Sequence, residues 1–141
     1  MGIVLAPRMA AAAAALALAA TLSACASVDD TLRDAADSGV AATGGAAIAA
    51  SLQADGRAFG PATDTVFADA ITELGDASRT VIELTPGDRR AEHDRDAVDR
   101  ALRRALDTVA GARAALARGE RLDRWADRLE AARDELDGVA P

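Results

Sequence analysis

The sequence predicts an all-α fold, an up-down antiparallel bundle of about four helices, and three observations carry that expectation. Apolar residues recur at alternating steps of three and four along most of the chain, the spacing of one face of a helix. Of the 141 residues 50% are hydrophobic, but most of these are alanine, tyrosine is missing, and the large aromatics are Phe59, Phe67 and Trp125. Such a chain must build its core from aliphatic side chains and close backbone approach, which suits helices better than sheets. Glycine and proline, finally, gather between the periodic segments, at Gly60 and Pro61, at Pro86 and Gly87, and at Gly119, as the short connections of an up-down bundle require.

The first element is a processing segment rather than part of the fold. Residues 1–24 hold a short start with Arg8, an apolar run from Met9 to Leu22, and small residues after it, the three parts of an export signal. A helix of 14 residues spans about 21 Å, against a hydrocarbon core of roughly 30 Å, so the run is too short to cross comfortably. Extending it to Val28 would make a signal anchor, a reading weakened by its alanines and by Thr21, Ser23 and Ser27.

Leu22, Ser23, Ala24 and Cys25, placed just after that run, resemble the lipobox of bacterial lipoproteins. The resemblance implies that the Cys25 thiol receives diacylglycerol, that the signal is cut just before it, and that the mature chain carries fatty acyl chains such as palmitate. It covers only about the first 27 residues. The residue types fit this chemistry, since small side chains at Ser23 and Ala24 leave the backbone open to a peptidase and a thiol is a soft nucleophile for thioether formation. A buried structural thiol is the competing reading of Cys25, the chain's sole cysteine, which has no second cysteine for a disulfide. By the resemblance the protein sits on the extracytoplasmic side of a cell membrane. An outer membrane is open to it in a two-membrane cell, because Ala26 is not the aspartate that commonly marks inner-membrane retention.

From Cys25 onward the chain has lost only Arg8 of its 16 basic residues, all arginine, and keeps its 23 acids, a formal charge of −8. An anionic lipid surface repels such a domain, so attachment falls to the acyl chains, at about 0.8 kcal/mol per buried methylene. Residues 25–28 form the lipidated tether and 29–141 the bundle domain. Ser27 with Asp30 is a capping-box variant that starts the first helix almost at once. That helix, from Asp29 to about Phe59, carries a stripe of Leu32, Ala36, Gly39, Thr43, Ala47 and Ala50, and Gly44 with Gly45 predicts a bend or break.

The second helix is entered through Gly60 and Pro61, has Phe67, Ile71, Leu74, Ser78 and Val81 on its seam, and ends before Thr85 to Gly87. The third runs from the cap Asp88 to Arg118, with Val98, Leu102, Ala105, Val109, Ala112 and Leu116 facing inward. After Gly119 the fourth, Glu120 to Val139, repeats the pattern with Leu122, Trp125, Leu129, Ala132, Leu136 and Val139. The third is longer than the fourth, so residues 88–96, almost all charged, are expected to overhang with little to pack against.

Candidate chemistry is thin. The one histidine, His93, lies near Glu92, Asp96 and Asp99 on a helix, within reach of a shared divalent metal, but arginines crowd it and there is no second histidine. A solvated face laced by Asp96 to Arg100 and Asp99 to Arg103 pairs is the plainer reading, as it is for Glu120 to Arg124 and Arg133 to Asp137. No lysine, tyrosine or phosphate-binding glycine loop occurs, and the cysteine is consumed by lipid, so neither an enzyme nor any cofactor is expected. The acidic balance argues against nucleic acid. Two expectations remain: a lipid-anchored envelope protein whose non-catalytic bundle binds another envelope component or acts as a spacer, and a small-ligand or metal-binding accessory module.

Overall fold

The computed structural model describes residues 27–141. Four helices succeed one another in the chain: α1 (Val28–Ala54), α2 (Gly60–Glu83), α3 (Arg89–Ala117) and α4 (Asp123–Val139). No strand occurs among the described residues, and no described helix is long and apolar enough to cross a membrane.

Caps close both ends of α1 and of α3, where terminal backbone groups find partners. Ser27 Oγ accepts the Asp30 N–H at 3.1 Å while the Asp30 carboxylate accepts the Ser27 N–H at 3.4 Å, so the expected capping box closes around the first turn of α1. The other end of α1 closes on Gly56, at φ 70°, with the Arg57 N–H reaching back to the Leu52 carbonyl at 2.8 Å. Gly119, at φ 69°, ends α3 in the same way. Asp88 caps α3 by accepting the Ala91 N–H at 2.9 Å.

Side-chain pairs fix the direction of every helix. Thr63 donates to Gln53 Oε1 at 3.0 Å, joining the end of α1 to the start of α2. Ser78 on α2 donates to Asp99 on α3 at 2.9 Å, and Arg113 on α3 grips both oxygens of Asp64 on α2 at 2.7 and 3.0 Å. The guanidinium of Arg104 on α3 meets the Glu135 carboxylate on α4, and Arg33 near the start of α1 donates to the Pro141 carbonyl at 2.8 Å. Low-numbered positions of one helix thus meet high-numbered positions of the next all the way around, and the bundle is up-down-up-down as predicted. α1 touches all three other helices, while α2 and α4 occupy opposite corners and do not meet.

The stripe predicted on α1 is fully buried, as are Phe67, Leu74, Val81, Val98, Leu102, Val109, Leu122, Leu129 and Leu136. Two glycines allow the helices to come this close. A Cβ at Gly39 would stand 2.6 Å from Leu102 Cδ2 and 3.2 Å from Leu136 Cδ1, so at that level α3 and α4 lay their leucines directly on the α1 backbone. At Gly111 a Cβ would stand 2.4 Å from Trp125 Cη2, and the indole of this half-buried residue rests on bare α3 backbone, with the Arg128 guanidinium over the ring at 4.9 Å from its centroid. Gly111→Ala is therefore expected to push the ring outward and red-shift the single tryptophan's emission. Stability should stay within about 1 kcal/mol of the parent, because alanine regains roughly that much as a helix former. An unshifted emission spectrum would mean that the ring does not rest on Gly111.

Three expectations need correction. α1 is unbroken through Gly44 and Gly45. A Cβ at Gly44 would stand 3.5 Å from the Arg133 side chain of α4, and Ala42, Ala46 and Ala47 around it are buried, so packing of α1 against its neighbours outweighs the roughly 1 kcal/mol that each glycine costs. α4 starts at Asp123 rather than Glu120, because Glu120 is drawn into the glycine-terminated end of α3 and Leu122 is a buried cap residue outside the helix. The start of α3 does run beyond the end of α4, but Ala91, Asp94, Arg95 and Asp96 are half-buried rather than bare.

Candidate functional site

Leu22 to Cys25, the residues whose sequence resembles a lipobox, lie outside the described residues. The first helix begins at Val28, so the bundle starts within three residues of Cys25.

The polar cluster at the start of α3 is held by charge pairing. Asp99 accepts from Ser78 on one oxygen and from Arg103 at 2.9 Å on the other, the expected helix-spaced pair. Asp96 is taken instead by its neighbour Arg95, at 2.7 and 3.0 Å, rather than by Arg100. Glu92 and His93 are exposed, and among the described residues no group of three His, Cys, Asp or Glu side chains is placed to hold a metal ion. The other expected i,i+4 pairs likewise give way to shorter-range ones, Glu120 with Arg118 at the end of α3 and Arg133 with Asp134 on α4. Arg121 holds the Asp123 carboxyl down at about 2.

The Asp64 carboxyl is lowered from its ordinary 3.8, chiefly by the two hydrogen bonds from Arg113 and further by that cation's charge. A depressed carboxylate contributes stability that is present above the unfolded value and lost as pH falls through the folded one. Asp64 should thus titrate below its ordinary 3.8 in the folded protein, read by carboxyl NMR, and move upward in Arg113→Gln. Identical curves for the two proteins would show that the fork does not hold in solution.

The feature that sequence reasoning missed lies on the outside of α1 and α2. An open groove of about 620 Å³ runs between them, lined by Thr31, Asp34, Ala35, Ser38 and Ala41 on α1 and by Glu73, Asp76, Ala77 and Thr80 on α2. The α1 edge is an exposed seam: Asp34, Ser38, Ala41, Gly45 and Ile48 step by 4, 3, 4 and 3, the spacing of the buried stripe beside it. On α2 the exposed residues Val66, Asp69, Glu73, Asp76 and Thr80 step by 3, 4, 3 and 4. A surface helix ordinarily carries charge on its outer face, yet no residue from Ser38 to Ala54 is charged and Ile48 is 64% exposed. That missing charge was the available signal, hidden because the same residues also satisfy a buried stripe.

Electrostatically the two faces of the bundle differ. α1 and α2 carry Asp29, Asp30, Asp34, Asp37, Asp64, Asp69, Glu73, Asp76 and Glu83 against Arg33 and Arg79 only, whereas α3 alone holds seven arginines against five acids. Beside the groove Arg79 pairs with Asp76 at 2.7 Å, and among the described residues Asp34, Asp69 and Glu73 have no cationic partner within 4.0 Å.

Comparison with protein-family models, with curated proteins and with solved structures finds no match for this chain.

Proposed function

We propose that this chain is a cell-envelope lipoprotein, anchored through acyl chains on Cys25 to the extracytoplasmic side of a membrane, whose non-catalytic bundle binds another envelope component. One observation carries the reading: the chain's single cysteine ends the sequence Leu22-Ser23-Ala24-Cys25 behind a short apolar run, and a capped helix begins three residues later. A thiol so placed has an attachment role that fits both its isolation and its position. A tether of residues 25–27 holds the domain against the bilayer, and its acidic α1 and α2 surface keeps it from lying flat on anionic lipid. Binding rather than catalysis suits the inventory, since lysine and tyrosine are missing and the one histidine is exposed.

The second reading, a small-ligand module, draws on the groove between α1 and α2. Ligand sites of that kind are enclosed and mostly apolar, whereas this groove is open and edged by carboxylates, which favours a macromolecular partner.

Metabolic labelling with a clickable palmitate analogue tests the anchor. The expected result is label on the parent and none on Cys25→Ser, which should also keep residues 1–24 and migrate as the larger precursor. Label on both proteins, or on neither, would overturn the proposal.

A further inference from the structure

We infer that the exposed seam of α1 and the groove beside α2 form the docking surface for a cationic amphipathic helix of a partner protein. The inference rests on reading the bundle as a binding module and names the chemistry of what it binds.

The spacing indicates a helix. Asp34, Ser38, Ala41, Gly45 and Ile48 repeat at the 3 and 4 steps by which each helix of this bundle meets its neighbours, yet all five positions are exposed, and the first three line the open groove beside α2. A row of small residues at such spacing forms holes into which the large apolar side chains of a fifth helix fit, as in any knobs-into-holes seam. From Asp34 to Ile48 the seam rises about 21 Å, so about four turns of a partner are engaged. The far end of the seam, where Ile48 is 64% exposed and Val66 of α2 is 37% exposed, supplies the apolar contact that ends such a site.

The charge selects among possible occupants. Asp34 on one edge and Glu73 and Asp76 on the other give the groove acidic rims, with exposed Asp69 four residues before Glu73 on α2 and Arg79 already engaged by Asp76. A second copy laid face to face would bring these carboxylates against their own duplicates, and an anionic bilayer or nucleic acid would meet the same repulsion. A helix with leucine-like residues on one face and lysine or arginine on both flanks satisfies the apolar floor and the acidic rims together.

The test uses the full chain as purified, its N-terminal mass recorded first: in phosphatidylcholine nanodiscs with empty discs as reference if acylated, in buffer if not. A non-lipidated sample would thus defeat the anchor reading without deciding the docking surface. Two synthetic 21-residue helical peptides share a leucine seam and differ only in lysine or glutamate flanks. The lysine peptide should bind, slow amide exchange in residues 34–48 and 66–80, and lose affinity as salt is raised. The glutamate peptide should bind at least about tenfold more weakly. Ala41→Arg and, separately, Ile48→Arg should each weaken the lysine peptide by about tenfold or more, while Ala131→Arg on the exposed side of α4 leaves it within about twofold. Thermal melting of each variant confirms that it folds, and Glu73→Gln, which adds no bulk, should weaken binding several-fold on its own. Equal affinity for both peptides, exchange protection elsewhere, or indifference to Ala41→Arg and Ile48→Arg would overturn the inference. So would a chain that dimerises through this face, or one that binds the lysine peptide only after residues 1–24 are removed, since each identifies a different occupant.

Discussion

Replacing Phe67 by alanine is expected to cost about 3 to 5 kcal/mol, a large share of the roughly 5 to 15 kcal/mol that holds a domain together. Phe67 is the largest fully buried side chain, at 0% exposure two turns into α2. The cost of such a truncation depends on how far the surroundings collapse into the void, and here they collapse poorly. Of the buried residues on α1 only Leu32 and Thr43 are larger than alanine, and alanine has no side-chain torsion by which to move a carbon into empty space. Urea unfolding measures the effect, with an unchanged slope confirming that the loss lies in the folded state. A cost under about 1 kcal/mol would mean that the α1 and α2 helices close the gap by moving together, and that the alanine interface is softer than its packing implies.

Gly39→Leu should be damaging for the opposite reason, by about 3 kcal/mol or more. α1, α3 and α4 meet at this residue, and even the first added carbon would fall 2.6 Å from Leu102 Cδ2. That atom is the far end of a flexible side chain, so Gly39→Ala asks only for a small adjustment of Leu102 and is offset by the better helix propensity of alanine. Leucine adds three further carbons with Leu136 Cδ1 already 3.2 Å from the Cβ position, and the helices must separate. Leu102→Ala in the same chain should recover part of the loss, because it vacates the volume the new side chain needs. No recovery would show that the strain lies in the backbone rather than at the Leu102 contact.

These two positions also illustrate what the sequence discloses. Phe67 stands on a 3 and 4 spaced seam, and such a seam can be read directly because a helix that hides it must turn it inward. Gly119 is equally legible, since a left-handed backbone after a periodic segment is where glycine is strongly favoured. Gly39 is different: its place on a small-residue stripe was visible, but that Leu102 and Leu136 converge on it is a tertiary fact. The same applies to Gly44 and Gly45, whose low propensity suggested a break that packing against α4 overrides. The acidic groove escaped for a further reason. α1 carries two seams at once, one buried and one exposed, and a single sequence cannot say which faces the core until neighbouring helices take their places. The ion pairs diverged because an arginine on a helix can turn to an adjacent carboxylate as easily as to one a turn away, and surface pairs of either kind are worth little.

Anchoring at Cys25 is the central claim of the proposed function, and the mass of the N-terminal peptide tests it most directly. Protein purified from membranes of its producing cell and digested to release the first peptide should yield a chain that begins at Cys25 and carries at least two acyl chains. An unmodified Cys25 thiol, or a peptide still preceded by Met1 to Ala24, would contradict the account.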